Sequence, residues 1–343
     1  MEERTVRLER ILAARAALSG HVHRTPMLSS TTAARVVEGV AGVGLADGRL
    51  YVKAEHLQKT GSFKVRAART KVASLTPAQR AAGIVTLSAG NAAQAYAWAG
   101  RDAGARATVV MPEGAVRSKV EACRAYGAEV VLHGTHVGET WAKVQELAAD
   151  RGLTICHPFD DPEVIAGNGS VGLEILDDLP DVDVVVVGIG GGGLISGIAS
   201  AVKQSRSSVR VYGVEPETSN AVSLALERGE IVTISPRSVA DGLGAPFAGQ
   251  WTLPIVRRFV DEVVLLDDPT ILAGLRFALE RMKQVLEPAG AAALAAVLFG
   301  RVPIRDGERV VVVASGGNVE TSQLGELIAM AAPLPDVAAT VVS

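Results

Sequence analysis

The segment KTGSFK holds two lysines five positions apart, Lys59 and Lys64, and only the second follows an aromatic residue, Phe63. The helical pattern VRAARTKVA comes next, so Lys64 falls on the first turn of a helix, with Ser62 as the expected N-cap. An ammonium there opposes the positive end of the helix dipole, which lowers the pKa of the amine. The neutral amine is the form that attacks a carbonyl, because only the free base makes a Schiff base. Lys59 lacks this context and reads as a solvated surface lysine. On local grounds alone, a solvated Lys64 fits equally well.

A second stretch offers an anion site. DVVVVGIGGGGLISGIASAV runs a valine-rich strand into four consecutive glycines, Gly190, Gly191, Gly192 and Gly193, and then a helix beginning near Leu194. Glycines let backbone N–H groups converge, and the helix start adds partial positive charge, which suits a phosphate. Two other readings stay open. Gly188, Gly190 and Gly193, with Glu215 ending the next strand, match a dinucleotide fingerprint whose acid binds a ribose and would imply a nicotinamide-dependent oxidoreductase. A tight turn that needs glycine only for packing would look the same.

Two further switches could complete a site. In SAGNAAQ (88–94), Ser88, the N–H groups of Ala89 and Gly90, and Asn91 could cradle a carboxylate; an ordinary helix start is the plainer alternative. In VVVVASGGN (310–318), a buried strand delivers Ser315 to the carboxyl edge of a sheet, where ligands of open α/β sheets bind. Taken alone, that stretch is a glycine turn.

The elements that must position these residues alternate. Strands are predicted at 84–88, 107–111, 128–133, 183–188, 209–215 and 309–315, with Ala-rich helical patterns between them. This spacing predicts an α/β fold of two doubly wound lobes with mainly parallel sheets. The larger lobe takes residues 1–75 and 153–343, and the smaller, 76–152, is inserted in it. The N-terminal twenty residues read as an amphipathic helix rather than a signal peptide, and PLPDVAATVVS (333–343) as a loosely held tail. With 343 residues, 48% of them hydrophobic, and a net charge of −3, the chain has a large core and no electrostatic call for nucleic acid or an anionic membrane. The apolar run 289–300 is too short to span a bilayer. Two cysteines, Cys123 and Cys156, far apart, fit a reducing cytoplasm. The six histidines show no metal-ligand spacing.

Jointly these stretches resemble the tryptophan-synthase-like, fold-type-II pyridoxal-phosphate enzymes, in particular the threonine/serine dehydratase (ammonia-lyase) group and its serine racemase relatives. The resemblance runs from HRTPML (23–28) and KAEHLQKTGSFK through SAGNAAQ, HPFDDPEVIAGNGSVGLEIL, GIGGGGLISG, VEPE and EPAGAAAL to SGGN. It implies pyridoxal 5'-phosphate as cofactor, held covalently by Lys64, which also serves as the base at Cα. Gly190 to Gly193 and Leu194 would grip the phosphate, which turns the loop away from a dinucleotide. Asn91 would hydrogen-bond the ring's O3′, Phe63 would pack near the ring, Ser315 would face the pyridine nitrogen, and Glu287 would lie close by. Ser88, Ala89, Gly90 and Asn91 would bind the substrate carboxylate.

The implied reaction is β-elimination from a hydroxy amino acid, L-threonine or L-serine, to a 2-oxo acid and ammonia. Racemisation is the weaker expectation: the slot where racemase relatives carry a serine is Ala89, and Phe159 stands where they tend to have asparagine. The family's usual histidine after the loop asparagine is here Ala92, which opens space for a phenylserine or hydroxyaspartate type of substrate, or suggests a cofactor-binding protein without turnover. The resemblance also implies a divalent or monovalent cation site, for which Glu215 matches one ligand and no aspartate stands in the expected place. A homodimer or homotetramer is the expected assembly, and no regulatory domain for feedback by isoleucine is expected after SGGN.

Overall fold

The valine-rich runs become the strands of two sheets in a computed structural model that describes residues 4–335. In chain order the strands are β1 (Met27–Ser30), β2 (Leu50–Lys53), β3 (Ile84–Leu87), β4 (Ala107–Met111), β5 (Glu129–Leu132), β6 (Thr154–Ile155), β7 (Val184–Gly188), β8 (Arg210–Pro216), β9 (Glu262–Leu266) and β10 (Val310–Val313). The larger sheet has the order β1-β2-β10-β7-β8-β9 and the smaller β5-β4-β3-β6. Only β1 with β2 is antiparallel; the other named pairings are parallel. All six expected strands form, within one or two residues at their ends.

Alternation along a strand explains why the valine runs are continuous. Val184, Val186, Val310 and Val312 face the core that contains the alanine-rich Pro288–Leu298 helix. Val185, Val187, Val311 and Val313 face the opposite core, with Ile195 and Ile198 of the Gly193–Ser205 helix. A strand covered on both faces needs apolar side chains at every position, and β7 and β10 are buried throughout.

The smaller sheet reaches slightly beyond the expected division at 152/153. β6 hydrogen-bonds to β3, so this sheet draws its edge strand from just past residue 152. The helix carrying Lys64, Lys64–Ala73, also serves both parts. Its Val65, Ala68 and Val72 share a core with Ala93, Tyr96 and Ala97 of the Asn91–Asp102 helix. Its other side lies against the Pro162–Asp178 helix, so close that a Cβ on Gly167 would come within 2.7 Å of the Thr70 hydroxyl. The same helix meets the Gly193–Ser205 helix through Gly172, where a Cβ would stand 2.9 Å from the Ile198 carbonyl. The lysine helix and the glycine-loop helix are thus held through one shared, tightly packed neighbour.

Behind Lys64 lies a buried ion cluster that has no signature in the sequence. Arg66 pairs with Glu55 at 2.8 Å and Glu174 at 2.6 Å, and Lys53 with Glu174 at 2.8 Å. Burial alone would raise the Glu55 carboxyl, but the adjoining Arg66 guanidinium outweighs it and the net shift is downward. Among the described residues no helix is long and apolar enough to cross a membrane. The expected N-terminal helix forms, but over Leu8–Leu18 only, and most of the expected C-terminal tail (336–343) lies outside the described residues.

Candidate active site

Lys64 is the first residue of its helix, as the sequence predicts, but Ser62 does not cap it. Ser62 is extended (φ −162°, ψ 162°) and bridges to Gly316, and among the described residues its buried hydroxyl has no partner. The reason is backbone pairing: the Phe63 N–H donates to the Ser315 carbonyl at 3.1 Å, which draws the 62–63 segment alongside the SGGN turn. Phe63 becomes the N-cap. The Lys64 amine donates to the Pro158 carbonyl at 3.3 Å and lies 4.9 Å from the Phe63 ring centroid. Burial is what pushes its pKa down, to about 8, against a smaller upward pull from Glu287. The direction agrees with the sequence reading, and its cause here is desolvation.

β7 delivers Gly190 to Gly193 to the carboxyl edge of the larger sheet, and the helix begins at Gly193. Gly191 to Gly193 are closed to side chains. Gly192 has φ +87°, and a Cβ there would meet Thr252 at 2.9 Å. On Gly191 a Cβ would enter the Phe159 ring, and on Gly193 it would come within 2.9 Å of the Phe159 carbonyl. Thr252 also fastens the loop from outside, its hydroxyl donating to the Gly191 carbonyl at 2.7 Å. Leu194 follows, buried in the core.

Glu215 is tied into the backbone that follows its strand. It is wholly buried, and its carboxylate accepts from the N–H groups of Val222 (2.9 Å) and Ser223 (2.8 Å) and from the Ser223 hydroxyl (2.6 Å). It serves the start of the Ala221–Arg228 helix, with burial pushing its pKa up to about 7. A carboxylate committed in this way does not reach a ribose. Among the described residues no group of three or more His, Cys, Asp or Glu stands where it could hold a metal ion.

A cavity of about 590 Å³ brings together Phe63, Lys64, Ser88 to Ala92, Gly190 to Leu194, Glu287 and Ser315. Asn91 donates to Glu287 at 2.7 Å and accepts from Asn318 at 2.8 Å. Burial, then the nearby Asp241 carboxylate, pushes Glu287 up to about 8. The buried Ser315 hydroxyl makes a long contact, 3.5 Å, to the Ala289 carbonyl. Sequence reasoning misses Lys119 and Asp241, which also line the cavity and pair at 2.7 Å at its exposed rim. The Gly- and Pro-rich stretch around Asp241, ADGLGAP, is the one signal that marks this loop.

The residues fit pyridoxal phosphate on their own chemistry. A half-buried lysine amine suits an aldehyde, a side-chain-free glycine loop at a helix start suits a phosphate, and a loosely bonded buried hydroxyl is left for a ring nitrogen. Fold and site together define a fold-type-II pyridoxal-phosphate enzyme. The chain belongs to the pyridoxal-phosphate dependent enzyme family, whose model matches residues 18–316. It is 40% identical to the L-threonine ammonia-lyase of Thermotoga maritima, over 94% of this chain and 78% of that protein. It is also 40% identical to the L-threonine dehydratase catabolic TdcB of Escherichia coli K12, over 94% and 96%. Among solved structures, maize serine racemase matches with a TM-score of 0.87 at 34% identity, covering 94% of this chain and 96% of that one. The processed form of threonine deaminase isoform 2 from Solanum lycopersicum matches with a TM-score of 0.85 at 32% identity, covering 95% and 94%.

Proposed function

We propose that this protein is a pyridoxal-phosphate dependent lyase that dehydrates and deaminates L-threonine, and secondarily L-serine, to a 2-oxo acid and ammonia. The observation that carries the reading is a lysine amine with a pKa near 8 in the same cavity as the tetraglycine loop, Asn91 and Ser315. The threonine ammonia-lyases and dehydratases among its relatives support the substrate class.

The bound cofactor supplies the electron sink that acidifies the substrate's Cα–H. Lys64 holds the cofactor and moves the Cα proton through Nζ; a pKa near neutrality is what such a base needs. The N–H groups of Gly190 to Leu194 hold the phosphate at the helix start. Ser88, Ala89, Gly90 and Asn91 bind the substrate carboxylate at the start of the Asn91–Asp102 helix. Ser315 at the ring nitrogen is a hydroxyl and does not hold that nitrogen protonated as a carboxylate would, which favours loss of the β-hydroxyl over transamination.

Ala89 lines the cavity and has no proton to deliver to the far face of Cα, so dehydration outranks racemisation. The enzyme works in the cytoplasm as a homodimer or homotetramer, in keeping with its family resemblance and its two free, buried cysteines. Light scattering of the purified protein checks the assembly. The test of function is ammonia release from L-threonine, L-serine, D-serine, phenylserine and the hydroxyaspartates. Highest kcat/KM on L-threonine is expected; no ammonia from any of them overturns the reading.

A further inference from the structure

Asn318 ends the SGGN motif, and no chemistry assigned so far uses its side chain. It is absent from the cavity wall, yet its amide joins two of the segments that build the site. Its Nδ2 donates to the Thr60 carbonyl at 2.7 Å and to Asn91 Oδ1 at 2.8 Å. Around it, the backbone of the same turn is stitched to KTGSFK: Gly317 N–H donates to the Gly61 carbonyl at 2.9 Å, and Phe63 N–H to the Ser315 carbonyl. Thr60 sits at φ +58°, a left-handed conformation that a threonine adopts only when its surroundings impose it.

The direction of these bonds matters. A backbone carbonyl only accepts, so the Asn318 nitrogen must face Thr60. Both of its hydrogens are then spent, one on Thr60 and one on Asn91. Asn91 must therefore turn its oxygen to Asn318 and its nitrogen to Glu287, where the bond is 2.7 Å. One N–H of that nitrogen goes to Glu287 and the second remains for a group in the cavity. Without Asn318 the Asn91 amide can flip, because a carboxyl is able to donate as well as accept once protonated.

We propose that Asn318 is a positioning residue that sets the orientation of the Asn91 amide, so that a donor rather than an acceptor faces the cofactor. The chain of polarity starts at the Thr60 carbonyl and runs through Asn318 and Asn91 to Glu287. The proposal rests on the reading of the cavity as a pyridoxal-phosphate site.

The test uses the holoenzyme and three variants: Asn318→Asp, which keeps the shape and loses both donors, Asn91→Ala, and the double variant. Three quantities are measured: the pH midpoint of the bound cofactor's visible band, the cofactor dissociation constant, and the thermal midpoint of the cofactor-free protein. Asn318→Asp is expected to move the band's midpoint by about one unit and to weaken cofactor binding about tenfold, the size of one misdirected buried hydrogen bond. In the Asn91→Ala background the same change has no further effect on either, because it acts through Asn91. Where the aspartate variant does not fold, Asn318→Leu, similar in shape and likewise without either donor, gives the same comparison.

Unmoved band and affinity in Asn318→Asp overturn the inference, as do effects that add in the double variant. So does a shift seen only in step with a fallen thermal midpoint, which marks a scaffold role. A wild-type protein that takes up no pyridoxal phosphate overturns the functional reading as well, whereas a wild-type band with unmoved variants overturns this inference alone.

Discussion

At the tetraglycine end of the cavity a side chain at Gly191, Gly192 or Gly193 would strike Phe159 or Thr252, whereas at the other end a Cβ on Gly90 or Gly114 would meet nothing within 4 Å. The first end is buried and its glycines are there because there is no room for anything else. The second is half-exposed, lined by Ser88 to Ala92 and by residues following β4 and β5 such as Val116 and Val137. Both ends open on Lys64. The contrast suggests a division of labour: the closed end fixes which cofactor is held, and the open end decides which substrate is accepted.

Substitution at matched glycines breaks or sharpens that contrast most strongly. Gly191→Ala is expected to cost about 1–3 kcal/mol of stability, through overpacking against Phe159. It should also weaken cofactor binding at least about tenfold. Gly90→Ala should leave the cofactor dissociation constant within about twofold and act on KM for the amino acid instead. Equal effects at both positions, by thermal melts and cofactor titration, would remove the distinction between the two ends.

A smaller effect is expected from filling the open end. Ala92 is buried in the cavity wall where relatives of the implied family carry histidine. Ala92→His should lower kcat/KM for phenylserine relative to L-threonine by about tenfold, a typical size for a pocket that gains or loses one group. An unchanged ratio would place the substrate side chain elsewhere.

The smallest effect concerns Glu287, between the two ends. Its folded pKa of about 8 lies above the ordinary 4.5, chiefly from burial and the Asp241 carboxylate. The folded protein therefore holds a proton that the unfolded chain has released between those values, and stability falls as pH rises across that window. Cofactor-free Glu287→Gln should lack this slope, so its thermal midpoint should gain on wild type between pH 5 and pH 8. Parallel curves would mean that Glu287 is ionised in the folded protein throughout.

What could be read from the sequence follows from what is local. The valine runs of β7 and β10, the glycines after β7 and the placement of Lys64 at a helix start all depend on neighbours in the chain. β1 and β2 (MLSS and LYVK) carry no run of β-branched residues and β6 has only two residues, so they give little local signal; β9 (EVVLL) does carry such a run and is nonetheless not among the expected strands. Ser62 looked like a cap because Ser before a helix usually is one; its pairing with Gly316 is a long-range fact that no window of sequence contains. The same holds for the Lys119–Asp241 pair, the Arg66 cluster, and the hydrogen bonds that Glu215 accepts at a helix start.

The central claim is that Lys64, and no other lysine, carries the cofactor. Borohydride reduction of the pyridoxal-phosphate-loaded protein, followed by proteolysis and mass spectrometry, tests it directly. The account predicts a single phosphopyridoxyl label on the peptide containing Lys64; a label on Lys59 or Lys119 with Lys64 unmodified, or no label at all, would contradict it.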